Sequence, residues 1–238
     1  MTRAWLQSAR RAVGPSLLDQ VERDHHQTDR EFRRRRVVVA VTLVVGAVLL
    51  GTSLSVRPGD DVFYLLTGLV AVTWVGGALL SGPLHLGHIP FRDRLRRPIV
   101  TPIVTGLVLG AVFVAGSLVV RELEPLRALV NSVLAHARYG AIVPIVAVTL
   151  LNGVAEEVFF RGALFAAIGR RHAVLVSTTI YAAATVATGN PMLVFAAFLL
   201  GLVVGLQRRA SGGILAPILT HITWSTTMVF ALPALIRQ

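Results

Sequence analysis

The sequence contains no cysteine and no lysine. Without cysteine there are no disulfides, no thiol chemistry and no structural zinc site built on thiolates. Charge is also scarce. Only 15% of the 238 residues are charged and 54% are hydrophobic, whereas a soluble domain carries about 25% charged residues. So few charges cannot cover a water-facing surface, and a lipid bilayer is the natural surrounding. The net charge of +11 comes from 23 basic residues, all arginine. These cluster in the N-terminal segment and in short loops between apolar runs, as in membrane proteins. That placement argues against nucleic acid as a partner.

What is present in quantity is long apolar sequence. A helix crossing the hydrocarbon needs about 20 apolar residues, within a range of roughly 17–25. Val37–Val56, Val62–Gly82, Ile99–Val120, Gly140–Ile168 and Ile214–Ile236 meet that length. Ala173–Thr188 and Pro191–Leu206 are shorter. The expected fold is an all-α polytopic transmembrane bundle of about seven spans. The leading stretch, residues 1–36, is too long and polar for a signal-peptide n-region, and Val37 onward too long for a cleaved apolar core, so the first span is read as retained. Three regions result: a basic cytoplasmic arm (1–36), spans one to three with an interfacial segment (37–138), and a core of spans four to seven (139–238).

Arginine placement sets the orientation. Arg33–Arg36 precede span one, and Arg92, Arg94, Arg96 and Arg97 lie between spans two and three. Arg170 and Arg171 follow span four, and Arg208 and Arg209 follow span six. These are alternate loops of a seven-span chain. They predict a multi-pass protein of the cell membrane with its N-terminus cytoplasmic and its C-terminus outside. Arg10, Arg11 and Arg33–Arg36 lie within reach of anionic headgroups, although topology charge alone accounts for them. His25 and His26 sit among charged residues and read as solvated. Arg121–Tyr139 places Leu123, Leu126, Leu129, Val130, Val133 and Leu134 at helical spacing and is expected along the outer interface.

Ionisable groups at membrane depth cost about 2.5–3.5 kcal/mol each on insertion scales, and their default reading is functional. Span four holds three of them: Glu156, Glu157 and Arg161. Glu157 and Arg161 are four residues apart, so they can pair on one helix face. Glu156 lies about 100° around the helix and points elsewhere. A purely structural Glu–Arg pair would leave Glu156 costly and unpaired. Glu156 lies roughly 20 Å along its helix from the inner loop, and His221 in the last span roughly 15 Å from its own. The two fall at similar depth. A carboxylate and an imidazole at one level can bind a divalent metal, or act as base and polarising acid on water.

The stretch Asn152-Gly153-Val154-Ala155-Glu156-Glu157-Val158-Phe159-Phe160-Arg161-Gly162 is similar to the E-E-x-x-x-R-G motif of the CPBP family. These are intramembrane metallopeptidases that include type II CAAX prenyl endopeptidases and bacteriocin-processing or immunity proteins. The resemblance runs from about Tyr139 to Ala231. Pro217-Ile218-Leu219-Thr220-His221 resembles the family's A-P-x-x-x-H stretch, and Leu200-Gly201 through Arg208 the segment before it. The resemblance implies that Glu156 activates water, that Glu157 and Arg161 support it, and that His221 is a metal ligand or polarising group. It further implies a divalent metal, zinc by preference, on Glu156 and His221, and a membrane-associated peptide or protein as substrate.

The sequence departs from the family pattern twice. Where the family has F-x-x-x-H, this chain has Tyr181 through Thr185; where the family has H-x-x-x-N, it has His221 through Ser225. A threonine hydroxyl is a weaker zinc ligand than imidazole, and serine reaches less far than asparagine. Glu156, Glu157 and His221 could hold a metal alone, or catalysis could run differently or not at all. Asn152 and Asn190 are candidates to compensate. Three functions stay open: a membrane-embedded metalloendopeptidase, a catalytically impaired relative that binds a membrane peptide or partner protein, and an ion or proton carrier. The carrier lacks the broken-helix repeats of transporters. Oligomeric state is not legible.

Overall fold

The computed structural model describes residues 14–21, 26–91, 94–139, 141–169 and 171–236. Arg10, Arg11, His25, Arg92, Gly140 and Arg170, which entered the topology reading, lie outside the described residues. The protein is an all-α polytopic bundle. Among the described residues, eight α-helices follow a short π-helical turn (Gly14–Leu18): α1 (Asp29–Ser55), α2 (Val62–Ser81), α3 (Val100–Val120), α4 (Glu124–Tyr139), α5 (Ile142–Ile168), α6 (Ala173–Thr185), α7 (Pro191–Ser211) and α8 (Leu215–Leu235). Six of them are long and apolar enough to cross a membrane. The stretch Ala173–Thr188, α6 with a 3₁₀ turn, is the shorter apolar helix and stands where a seventh span was expected. Between α2 and α3 lies a small hairpin of β1 (Ile89–Phe91) and β2 (Arg94–Arg96), antiparallel with Pro90 opposite Leu95.

Lipid contact is written on the outside. Val37, Val44, Val48, Leu79, Val100, Val108 and Val143 are exposed large apolar residues on spanning helices, a pattern costly in water and favourable in hydrocarbon. Inside, small residues let the helices approach. Gly46 of α1 receives the Trp74 ring of α2, and Gly77 of α2 receives Thr42 of α1. Gly106 and Gly110 of α3 sit against Thr220, Thr223 and Thr227 of α8. Gly201 and Gly205 of α7 face Thr178 and Val174 of α6.

α1 begins at Asp29, well before Val37. Thr28 caps it: the Glu31 amide donates to Thr28 Oγ1 at 3.3 Å, and the Thr28 amide donates to Glu31 Oε2 at 2.8 Å. This reciprocal capping satisfies two donors that a helix start leaves orphaned. Residues 29–36 of the expected arm therefore continue the first helix. Its arginines are also not plain topology charge. Arg34 and Arg35 donate to the Leu80 and Pro83 carbonyls at the end of α2, at 3.4 and 3.0 Å. Arg36 Nε donates to the Ala167 carbonyl at the end of α5, at 3.1 Å. Helix C-termini present unpaired carbonyls and partial negative charge, which cations satisfy.

The arginine-bearing loops gather at one end. Residues 85–88 join the α7–α8 turn through Ile214 N to His85 O at 2.9 Å and His88 N to Ser211 O at 2.8 Å. Arg97 Nη1 donates to the Gly87 carbonyl at 2.8 Å. At the opposite end α4 lies across the mouths of three spanning helices. His136 Nε2 bonds the Val56 carbonyl at 3.1 Å, Asn190 Nδ2 donates to Leu129 O at 2.7 Å, and Arg138 donates to the Ile236 carbonyl. Its apolar face is half-buried against these helices.

Replacing Gly46 by alanine would place a Cβ 2.3 Å from the Trp74 ring, and overpacking of this kind costs about 1–3 kcal/mol. Gly46→Ala is expected to lower thermal stability in detergent. Gly68→Ala in α2, whose added Cβ meets nothing within 4 Å, is expected to leave it unchanged or raise it. Equal melting of the two variants would contradict the α1–α2 packing.

Candidate active site

The site is built on a change of helix type. α5 is regular from Ile142 to Glu156 and continues as a π-helix from Glu157 to Leu164. A π segment widens the turn and re-aims side chains, and such segments recur at functional sites. Phe159 and Phe160 lock it by stacking on Trp74, with ring centroids 4.6 and 5.0 Å apart. The two adjacent glutamates stand at this junction.

Glu157 and Arg161 are both fully buried. Arg161 Nη1 donates to Glu157 Oε1 at 3.0 Å. His221 of α8 reaches the same oxygen through Nδ1 at 2.8 Å. An ionised carboxylate only accepts, so Nδ1 carries the donated proton. In the neutral ring, Nε2 is then left with its lone pair. The Arg161 guanidinium lies 4.6 Å over the Tyr181 ring of α6, a cation–π contact. The Arg161 carbonyl accepts from Arg208 Nε of α7 at 2.6 Å. The π-helix is thus tied to α6, α7 and α8 at once.

Glu156 points elsewhere, as adjacent residues must. It is half-buried, and Tyr181 Oη donates to its Oε2. The His221 ring packs over the bare backbone of Gly153, where an added Cβ would lie 3.4 Å from Cδ2 and 3.6 Å from Nε2. Gly153 and Glu156 are three apart and share a helix face. The imidazole therefore lies over the turn that precedes the glutamate pair, bonded to Glu157.

The other expected residues are placed as follows. Thr185 is buried, and its hydroxyl donates to the Tyr181 carbonyl at 2.9 Å. Ser225 is buried one turn beyond His221 on α8. Asn152 is spent between α5 and α2, donating to Val148 O at 2.9 Å and Thr67 O at 3.2 Å. Asn190 caps α7, accepting from Met192 N at 2.9 Å, and holds α4 far from the glutamates. Both asparagine side chains donate to backbone carbonyls.

The donor set does not fit a catalytic zinc, which takes three protein ligands and a water. Glu157 Oε1 already accepts from both Arg161 and His221, and the Thr185 hydroxyl is engaged by backbone. Glu156 and His221 Nε2 remain, and the unpartnered Glu157 Oε2 belongs to a fully buried carboxylate already held by Arg161 and His221. Among the described residues no group of three or more His, Cys, Asp or Glu side chains is gathered to hold a metal.

Two participants were missed in the sequence. Tyr181 stands at the aromatic position of F-x-x-x-H; its extra hydroxyl was the available signal, since a buried phenol needs a partner. Arg208 looked like topology charge but is 4% exposed, and nothing local distinguishes it from Arg209.

Fold and site define a multi-pass membrane protein with a buried carboxylate–arginine–histidine cluster beside a second carboxylate. Residues 137–227 match the family model described as type II CAAX prenyl endopeptidase Rce1-like. The matched segment contains both glutamates, Arg161, Tyr181 and His221. Neither a curated protein nor a solved structure matches the chain.

Breaking a buried ion pair from one side strands a charge, at about 3–5 kcal/mol. Arg161→Ala is expected to lose about that much stability in detergent. Adding Glu157→Ala to it should cost less than the sum of the two single changes, because the groups are coupled. Unchanged stability in Arg161→Ala, or strict additivity, would contradict the cluster.

Proposed function

We propose that the chain is a membrane-embedded endopeptidase, CAAX-protease-like, that hydrolyses a peptide bond in a membrane-associated peptide or protein. The observation that carries this reading is that His221, bonded to Glu157, packs on Gly153 one turn before Glu156, inside the segment that matches the endopeptidase family. Glu156 takes a proton from water, and the resulting hydroxide adds to the scissile carbonyl carbon. The C–N bond then breaks, and Glu156 returns the proton to the leaving amine. Glu157 holds the imidazole in one orientation through Nδ1, as a carboxylate does for a catalytic histidine. In its doubly protonated form His221 donates Nε2–H to the developing oxyanion. Tyr181 fixes the Glu156 carboxylate, and Arg161 balances Glu157.

No step requires a metal ion. The arginine-rich end is proposed to face the cytoplasm, which puts the N-terminus inside and the C-terminus outside the cell membrane. Residues 139–238 form the peptidase core in this reading, with 1–36, whose last eight residues begin α1, as the basic arm and 37–138 as the supporting spans.

A second reading is a catalytically impaired relative that binds a membrane peptide or partner protein. The specific observation behind it is Thr185, whose hydroxyl is spent on the Tyr181 backbone where the family places a histidine.

Purified protein in nanodiscs separates the readings. Cleavage of a membrane peptide is expected, with Glu156→Gln lowering kcat by about 10²–10⁴-fold, the usual weight of general base catalysis. A Glu156→Gln protein that cleaves at the unaltered rate would sink the mechanism; no cleavage of any membrane peptide by the unaltered chain would favour the binding relative. Activity is further expected to survive chelation. Stoichiometric zinc together with chelator-sensitive cleavage would contradict the metal-free route.

A further inference from the structure

At the arginine-rich end, behind the motif helix, lies a cavity of about 1070 Å³. α5 contributes Gly162 from its π-helical part and Phe165 just past it to the lining. Three guanidinium groups from two helices line it: Arg35 of α1, and Arg208 and Arg209 of α7. His85 completes the basic wall. Burial first, then the neighbouring Arg208 and Arg35, hold the His85 imidazole below its ordinary pKa, which reports positive potential in this space. No carboxylate lines the cavity among the described residues. Glu31, the nearest acid in the helix of Arg35, makes its hydrogen bonds to Thr28.

The cations are not fully used by the protein. Arg35 is only 2% exposed; it donates through Nη2 to Pro83 O, while its Nε has no hydrogen-bond partner. Arg209 Nε is likewise buried without a partner. A buried N–H left unpaired costs about 1–3 kcal/mol, more when charged. Three guanidinium groups around one space that no described carboxylate lines are unfavourable unless an anion meets them. Guanidinium forks match the oxygens of phosphate in pairs. Leu84, Val174 and Leu175 add an apolar part to the lining, which suits an acyl or glycerol portion next to a charged head.

We propose that this cavity binds a phosphate ester anion, held by Arg35 and Arg209 with Arg208 behind them, and supplied by a glycerophospholipid headgroup of the adjoining leaflet or by free phosphate. Basic pockets between spanning helices at the interface are the usual form of such sites. The site differs from the Glu156 centre: Glu156, Glu157, Tyr181 and His221 are not among its lining residues. Arg208 links the two, since its Nε holds the Arg161 carbonyl.

Calorimetric titration of the purified full chain in neutral detergent tests this, with dihexanoyl phosphatidylglycerol, dihexanoyl phosphatidylcholine and inorganic phosphate as separate probes. Saturable binding of phosphatidylglycerol is expected. Arg209→Gln, on the half-exposed rim, should weaken it by about tenfold, the weight of one charge-assisted hydrogen bond. Arg127→Gln at the opposite end should leave it unchanged. Should Arg35→Gln fail to fold, Arg209→Gln alone decides. Tight binding of inorganic phosphate with the same Arg209 dependence, and no gain from lipid, would uphold phosphate chemistry and name the free anion as its source. Phosphatidylcholine binding as tightly as phosphatidylglycerol, with Arg209 dependence, would uphold a phosphodiester site indifferent to headgroup. The proposal is overturned if no phosphate probe saturates. It is equally overturned if Arg209→Gln and Arg127→Gln bind every probe alike.

Discussion

One carboxylate oxygen organises the membrane core of this protein. Glu157 Oε1 accepts from Arg161 on its own helix and from His221 on α8. A charge buried in hydrocarbon must be neutralised and hydrogen-bonded, or the helix does not tolerate it. Arg161 supplies the opposite charge, and His221 supplies the second hydrogen bond. Satisfying Glu157 therefore forces α8 to a fixed position against α5. That position carries the imidazole over Gly153, one turn before Glu156. The pair is not an efficient source of stability: Glu157 Oε2 and Arg161 Nε and Nη2 have no hydrogen-bond partner. Apolar residues of the same volume would fill the space at no greater cost. What the ionic cluster adds is orientation of a histidine beside a second carboxylate.

The same economy of polar groups governs the ends of the bundle. Arg34, Arg35 and Arg36 satisfy carbonyls that α2 and α5 leave open, and Arg208 satisfies one inside the π-helix. A π segment disturbs the regular i to i−4 ladder, so a carbonyl there has reason to accept from outside the helix. At the other end, α4 supplies His136 and Arg138 to the C-termini of α1 and α8. Arginine placement that sets topology thus also finishes helices. Both demands select the same residue at the same places.

The fold was largely legible because membrane spans announce themselves by length and hydropathy, and six of the expected seven appear as long apolar helices. α4 was legible from the spacing of its leucines and valines. The start of α1 was not, since the polar stretch before Val37 hides a helix begun by Thr28 and carried by arginines with good helix propensity. At the site, the four-residue spacing of Glu157 and Arg161 gave their pairing. The partner of Glu156 was not deducible: Tyr181 sits on another helix, and only the tertiary fold decides which hydroxyl arrives. The same holds for His221, expected near Glu156 by depth but found bonded to Glu157. The zinc expectation came from the family resemblance, with Glu156 and His221 as its ligands. The fold engages His221 Nδ1 with Glu157, and the hydroxyl of Thr185, which stands at a replaced motif position, with backbone.

The account stands on Glu157 holding His221 through Nδ1. Nitrogen-15 spectroscopy of histidine-labelled protein in lipid tests this directly, with His221→Ala used to assign the signal. A protonated Nδ1 is predicted for His221, and Glu157→Gln should shift that resonance. An unprotonated Nδ1, or a His221 spectrum indifferent to Glu157→Gln, would contradict it.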